Sequence, residues 1–64
     1  MRQIMNYRGC DGSVLYDAED QFFHGKILGI RHMYIYGGPD LVTLECHFRE
    51  TVEEYLKDEE GRAA

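Results

Sequence analysis

The stretch GGPDLVTLECHFRETVEEYL, residues 37–56, carries the strongest periodic signal in the chain. Gly37, Gly38 and Pro39 interrupt regular structure. Asp40 then offers a short carboxylate that can accept from the free amides of a helix's first turn. Apolar residues recur at Leu41, Leu44, Phe48, Val52, Tyr55 and Leu56. These spacings of three and four draw one stripe on a 3.6-residue period. The opposite face carries Glu45, Arg49, Glu50, Glu53, Glu54 and Lys57. Glu53 and Lys57 are a favourable pair four apart, whereas Glu50 and Glu54 repel mildly. Gly61 is a natural C-terminal stop, so the predicted helix runs from about Leu41 to about Glu59. The glycine pair could present an anion to the helix N-terminus, but Asp40 would oppose one there.

Upstream of this helix the chain reads as strands and turns. Met5 and Tyr7 alternate with Asn6 and Arg8 before Gly9. Ser13 to Tyr16 is short and rich in strand formers, with Val14 and Tyr16 on one face and Ser13, Leu15 and Asp17 on the other. Asp17 to Gln21 has the polarity and length of a hairpin loop. Phe22 to Leu28 forms the next strand, with Phe23, Gly25 and Ile27 on one face and Phe22, His24, Lys26 and Leu28 on the other. Gly29 ends it. Met33 to Tyr36 reads as a short fourth strand or an extended approach to the helix. Strands joined this tightly are antiparallel. Gly25 in mid-strand calls for a close neighbour, and a helix crossing there would supply one. The expected fold is therefore α+β, a three-stranded antiparallel sheet packed on one long C-terminal helix. It forms a single domain over residues 1–64, with strands from about 4 to 36. One helix covers one sheet face, which leaves Leu15, Phe22 and Leu28 on an open face. Such a face suits an interface; a register shift of one residue would instead bury it.

With 64 residues the chain holds one domain and buries only about 60% of its unfolded surface. Support from a disulfide, a metal or another subunit is then common. Cys10 and Cys46 lack the dense cysteine framework of secreted mini-proteins, and no signal peptide precedes them. They read as reduced, half-buried thiols of a cytoplasmic protein. No apolar run approaches the roughly 20 residues of a membrane span. Cys10, His24, His32, Cys46 and His47 share no metal-ligand spacing, and neither a metal nor another cofactor is expected. That leaves association, either as a homodimer or higher oligomer or with a different partner.

The net charge is −5, from twelve acids against seven bases, and seven of the acids fall from Glu45 onward. Such a surface repels phosphate backbones, so direct nucleic-acid binding is not expected. A basic protein partner suits it, since complementary charge speeds and orients docking. A solvated helix face that keeps the chain soluble explains the same acids. Asp11, Asp17, Glu19 and Asp20 invite a metal-dependent nuclease reading. Such a site needs carboxylates converging from different elements, and three of these four crowd one loop. No serine or cysteine sits in a nucleophile arrangement. His24 reads as a hydrogen-bonded strand residue, and His32 and His47 as exposed. The chain is thus expected to be no enzyme.

Residues 6–17, NYRGCDGSVLYD, resemble the opening strand pair of HicB-family antitoxins. Residues 23–31, FHGKILGIR, look like that family's next hairpin strand, and Phe48, Val52, Tyr55 and Leu56 are similar to its helix stripe. The likeness covers about Asn6 to Leu56. It implies a partial ribonuclease-H-like domain without the acidic active site. It also implies a function, neutralising a HicA-type toxin, a small basic ribonuclease that cuts messenger RNA with a histidine. Family members commonly self-associate, and many carry a C-terminal DNA-binding module. Here only Lys57 to Ala64 follow the stripe, which leaves no room for one. Members usually begin near the Tyr-x-Gly strand, so Met5 is a candidate start, with Met1 to Ile4 an upstream extension. The expected partner-binding residues are Asp17, Glu19 and Asp20 in the hairpin loop and Glu50, Glu53 and Glu54 on the helix. Phe22 and Leu28 are the expected apolar anchors. An orphan domain that only self-associates is the alternative from outside this class.

Overall fold

The computed structural model describes residues 4–62. Its elements run β1 (Ile4–Tyr7), β2 (Cys10–Ser13), β3 (Leu15–Asp17), β4 (Phe22–Lys26), β5 (Ile35–Gly38) and α1 (Leu41–Arg62). The fold is α+β. A three-stranded antiparallel sheet, β3-β4-β5, and a two-stranded one, β1-β2, pack on one long helix. Met1–Gln3, most of the suggested upstream extension, lie outside the described residues; Ile4 pairs with Ser13 as the first residue of β1.

The two sheets are nearly one. A Gly12–Ile27 bridge keeps the register of the β3–β4 ladder, and the Leu28 amide donates to Asp11 O at 2.8 Å. The expected strand from Ser13 to Tyr16 is interrupted at Val14, which lies outside both β2 and β3. At this break the Ser13 side chain stands in for the ladder. Its Oγ accepts from the Lys26 amide at 3.0 Å and donates to Lys26 O at 3.5 Å. The Ser13 carbonyl accepts instead from the Tyr36 hydroxyl, at 2.7 Å. A methyl on Gly25 would collide with that same carbonyl. The neighbour that Gly25 needs is therefore the chain of β2, not the helix. The glycine under the helix is Gly12, where a methyl would run into the Phe48 ring and the Tyr36 hydroxyl.

The turn from β1 to β2 has two residues, Arg8 and Gly9, both at positive φ, 51° and 82°. That conformation matches the right-handed twist of the flanking strands. The β3–β4 turn spans residues 18–21 and ends with Gln21 at φ 50°. β5 begins two residues later than expected and includes Gly37 and Gly38, which were read as a break. Both are accommodated by close approach. A methyl on Gly38 would lie 2.8 Å from the Leu44 amide, and one on Gly37 2.8 Å from the Phe22 ring.

Helix α1 begins as its cap predicts. Asp40 Oδ1 accepts from the Thr43 amide at 2.7 Å, and Asp40 O accepts from the Leu44 amide at 2.9 Å. This cap holds the Asp40 carboxyl below its ordinary pKa, chiefly through the Thr43 backbone amide. The helix does not stop at Gly61 but runs on to Arg62, about 33 Å at 1.5 Å per residue. A helical glycine costs about 1 kcal/mol relative to alanine, and that penalty does not halt the strongly helical residues before it. Leu44, Phe48 and Val52 are buried on the sheet with Ile27 and Tyr36. Tyr55 and Leu56 pack partly against them, but Leu41, expected in the stripe, stands half exposed. Tyr34 and Tyr55 meet edge to face at 5.4 Å, and the Tyr34 hydroxyl donates to Asp58 at 2.7 Å.

Candidate partner-binding surface

Strand alternation and the register decide which side chains share the face turned away from the helix. Asp17 lies opposite Phe22, Leu15 opposite His24, and His24 opposite Gly37. Lys26 lies opposite Ile35, and Ile4 opposite Ser13. Four large apolar residues of this face are open to solvent: Ile4 57%, Leu15 57%, Phe22 41% and Ile35 68%. The Phe22 ring gains room by lying across Gly37. Leu28, expected beside Phe22 as an anchor, is half-buried in the loop after β4. Residues Lys26 to Met33 there enclose a shallow hollow of about 230 Å³. His24, read as a hydrogen-bonded residue, stands exposed in the middle of the open face.

Ile4 and Ile35 belong to this surface although the sequence reading did not assign them to it. For Ile35 a signal existed: Met33-Tyr34-Ile35-Tyr36 alternates, and both tyrosines turn inward while Met33 and Ile35 are exposed. Ile4 lay too close to the start of the pattern for alternation to show.

The acidic candidates separate into different roles. Asp17 is engaged locally, its Oδ1 accepting from the amides of Glu19 at 3.0 Å and Asp20 at 3.3 Å. Glu19 and Asp20 are exposed in the turn. Glu53 does not pair with Lys57. It accepts from Arg8 at 2.7 Å and from the Tyr7 hydroxyl at 3.0 Å, clamping the β1–β2 turn to the helix. The Arg8 bond, followed by that of Tyr7, holds the Glu53 carboxyl below its ordinary pKa. Next to this clamp the Arg49 guanidinium lies 5.7 Å above the Tyr7 ring and also pairs with Glu45. Glu50 and Glu54 are exposed on the helix.

The helix covers the inner sheet face, so its acidic side and the apolar outer face point in opposite directions. Phe22, on the outer face, and Glu50 and Glu54, on the helix, therefore do not form one continuous patch. Cys10 is half-buried, Cys46 is exposed rather than half-buried, and both are free thiols. Among the described residues no three His, Cys, Asp or Glu side chains are grouped to hold a metal ion. No helix among them is long and apolar enough to cross a membrane. No protein-family model, curated protein or solved structure matches the chain.

Proposed function

We propose that this chain is an antitoxin of the HicB type, a binding protein that neutralises a HicA-like toxin by covering it. The observation that supports this most directly is the open sheet face. Leu15, Phe22, Ile35 and Ile4 lie exposed on one side of a sheet whose other side is already filled by α1. Exposed apolar side chains of this kind are stabilised when a partner removes them from water, and here they flank the exposed His24 and Lys26. The net charge of −5 favours a basic partner over a nucleic acid, as a toxin that grips RNA would be. In this reading the chain carries out no catalysis, needs no cofactor and acts in the cytoplasm. Asp17, Asp40 and Glu53 hold a turn, a cap and a clamp.

The test is co-expression with a HicA-type toxin. The wild-type chain restores growth, whereas Leu15→Glu with Phe22→Glu does not, although the double variant keeps the helical circular-dichroism signal. Growth arrest that the wild-type chain leaves untouched would remove the antitoxin assignment. The same face also suits a second copy of the chain. Sedimentation of the free protein separates the two, since a homodimer that disperses in the double variant would mark the face as a self-association surface.

A further inference from the structure

β5 is the end strand of its sheet. The Ile27 amide donates to Tyr34 O at 3.0 Å, and this sets the alternation of the β4–β5 ladder. Tyr36, opposite Gly25, turns its backbone groups toward β4, and Ile35 and Gly37 turn theirs outward. The Gly37 carbonyl is capped by His47 Nδ1 from the helix. The Ile35 amide and carbonyl and the Gly37 amide take no backbone partner among the described residues. Sheets usually guard such an edge with lysine, proline or a bulge. The residues of β5, Ile-Tyr-Gly-Gly, include neither lysine nor proline.

This edge is also where the two separated surfaces come together. On its outer side stand Ile35 and Met33, 68% and 75% exposed. On its inner side runs one flank of α1. His47 of that flank reaches Gly37 O, and Asp58 accepts from Tyr34. Glu50 and Glu54 fall between them on the helical period. The ion pairs among the described residues, Arg8–Glu53 and Arg49–Glu45, both belong to the other flank. Glu50 and Glu54 take part in neither pair, and the nearest base on the helix is Lys57, which lines one hollow with Glu53, Glu54 and Glu60.

We infer that the β5 edge adds a strand from a basic partner protein, by backbone hydrogen bonds to Ile35 and Gly37. The added strand alternates, with apolar side chains over Ile35 and Met33 and lysine or arginine toward Glu50 and Glu54. This inference rests on the antitoxin reading and specifies how its partner docks. Main-chain bonds supply the affinity, and the alternating pockets supply the selection.

The chain is short enough for chemical synthesis, so the donor can be removed by itself as N-methyl-Ile35. The probe is a HicA-type toxin with its catalytic histidine replaced by alanine, titrated calorimetrically. N-methylation weakens binding about tenfold or more, while circular dichroism and the thermal midpoint of the free chain stay close to wild type. Glu50→Lys with Glu54→Lys lowers the affinity and its dependence on salt. In hydrogen exchange followed by NMR, the Ile35 and Gly37 amides exchange quickly in the free chain and slowly in the complex. Unchanged affinity on N-methylation, or fast exchange of both amides in the complex, would overturn the edge assignment and leave the antitoxin reading standing. A wild-type chain that does not bind the probe sinks the antitoxin reading itself. A free dimer that dissociates on N-methylation would assign the edge to a second copy and overturn the basic partner.

Discussion

Tyr36 joins three parts of the protein through one side chain. Its ring packs against Phe48 at 5.2 Å, and its hydroxyl satisfies the Ser13 carbonyl that the strand break leaves over. Burial pushes its pKa up to about 12 from 10, offset in part by that hydrogen bond. A folded-state pKa raised above the unfolded one stabilises the protein fully below the unfolded value, and the contribution is lost as pH climbs toward 12. Tyr36→Phe should cost about 1–3 kcal/mol at neutral pH, because a buried carbonyl loses its donor. It should also flatten the decline in urea midpoint between about pH 10 and 12. Asp40 and Glu53 act with the opposite sign. Their depressed pKa values contribute stability above the ordinary carboxylate range, and it disappears as pH falls through the lowered values. Asp40→Asn keeps a capping side chain but removes its titration. Thermal midpoints from pH 6 down to 2 should therefore fall less in that variant than in wild type.

Among the elements, α1 carries the core with few residues. Leu44, Phe48 and Val52 are its fully buried side chains, and Phe48 fits only because Gly12 has no side chain. Gly12→Ala forces overpacking of about 1–3 kcal/mol, a large share of the stability of so small a domain. Its urea midpoint should drop more than that of Gly9→Ala, where a methyl meets nothing within 4 Å but the φ of 82° is strained. Truncation after Asp58 keeps the Tyr34 hydrogen bond and should move the thermal midpoint by less than about 4 °C. The helix was legible because periodicity and capping are local properties. Leu44, Phe48, Val52 and Asp40 could all be placed from spacing alone. The break at Val14, the Ser13 bonds to Lys26 and the need for a small residue at Gly12 were not legible. Each depends on a partner 13 to 36 positions away along the chain. The two faces of β4 followed from alternation, but Glu53 was misread because its partner, Arg8, lies 45 residues distant and is not on the helix.

At the scale of the whole molecule, a helix about 33 Å long lies on a sheet within an envelope of 43 × 19 × 17 Å. The layer is one strand row thick, with a filled side and an open one, and its acids sit largely on the filled side's outer helix. Leu15→Glu with Phe22→Glu should therefore leave the urea midpoint nearly unchanged while lowering the binding of an apolar dye, because neither residue belongs to the buried cluster. The order of the elements has a further consequence. All five strands precede α1, so the codons for Leu44, Phe48 and Val52 are read after those of the sheet they cover. During synthesis the nascent strands have wet apolar flanks on both sides, and a ribosome stalled before Val52 releases a sheet whose inner face has lost one of its three fully buried covering side chains.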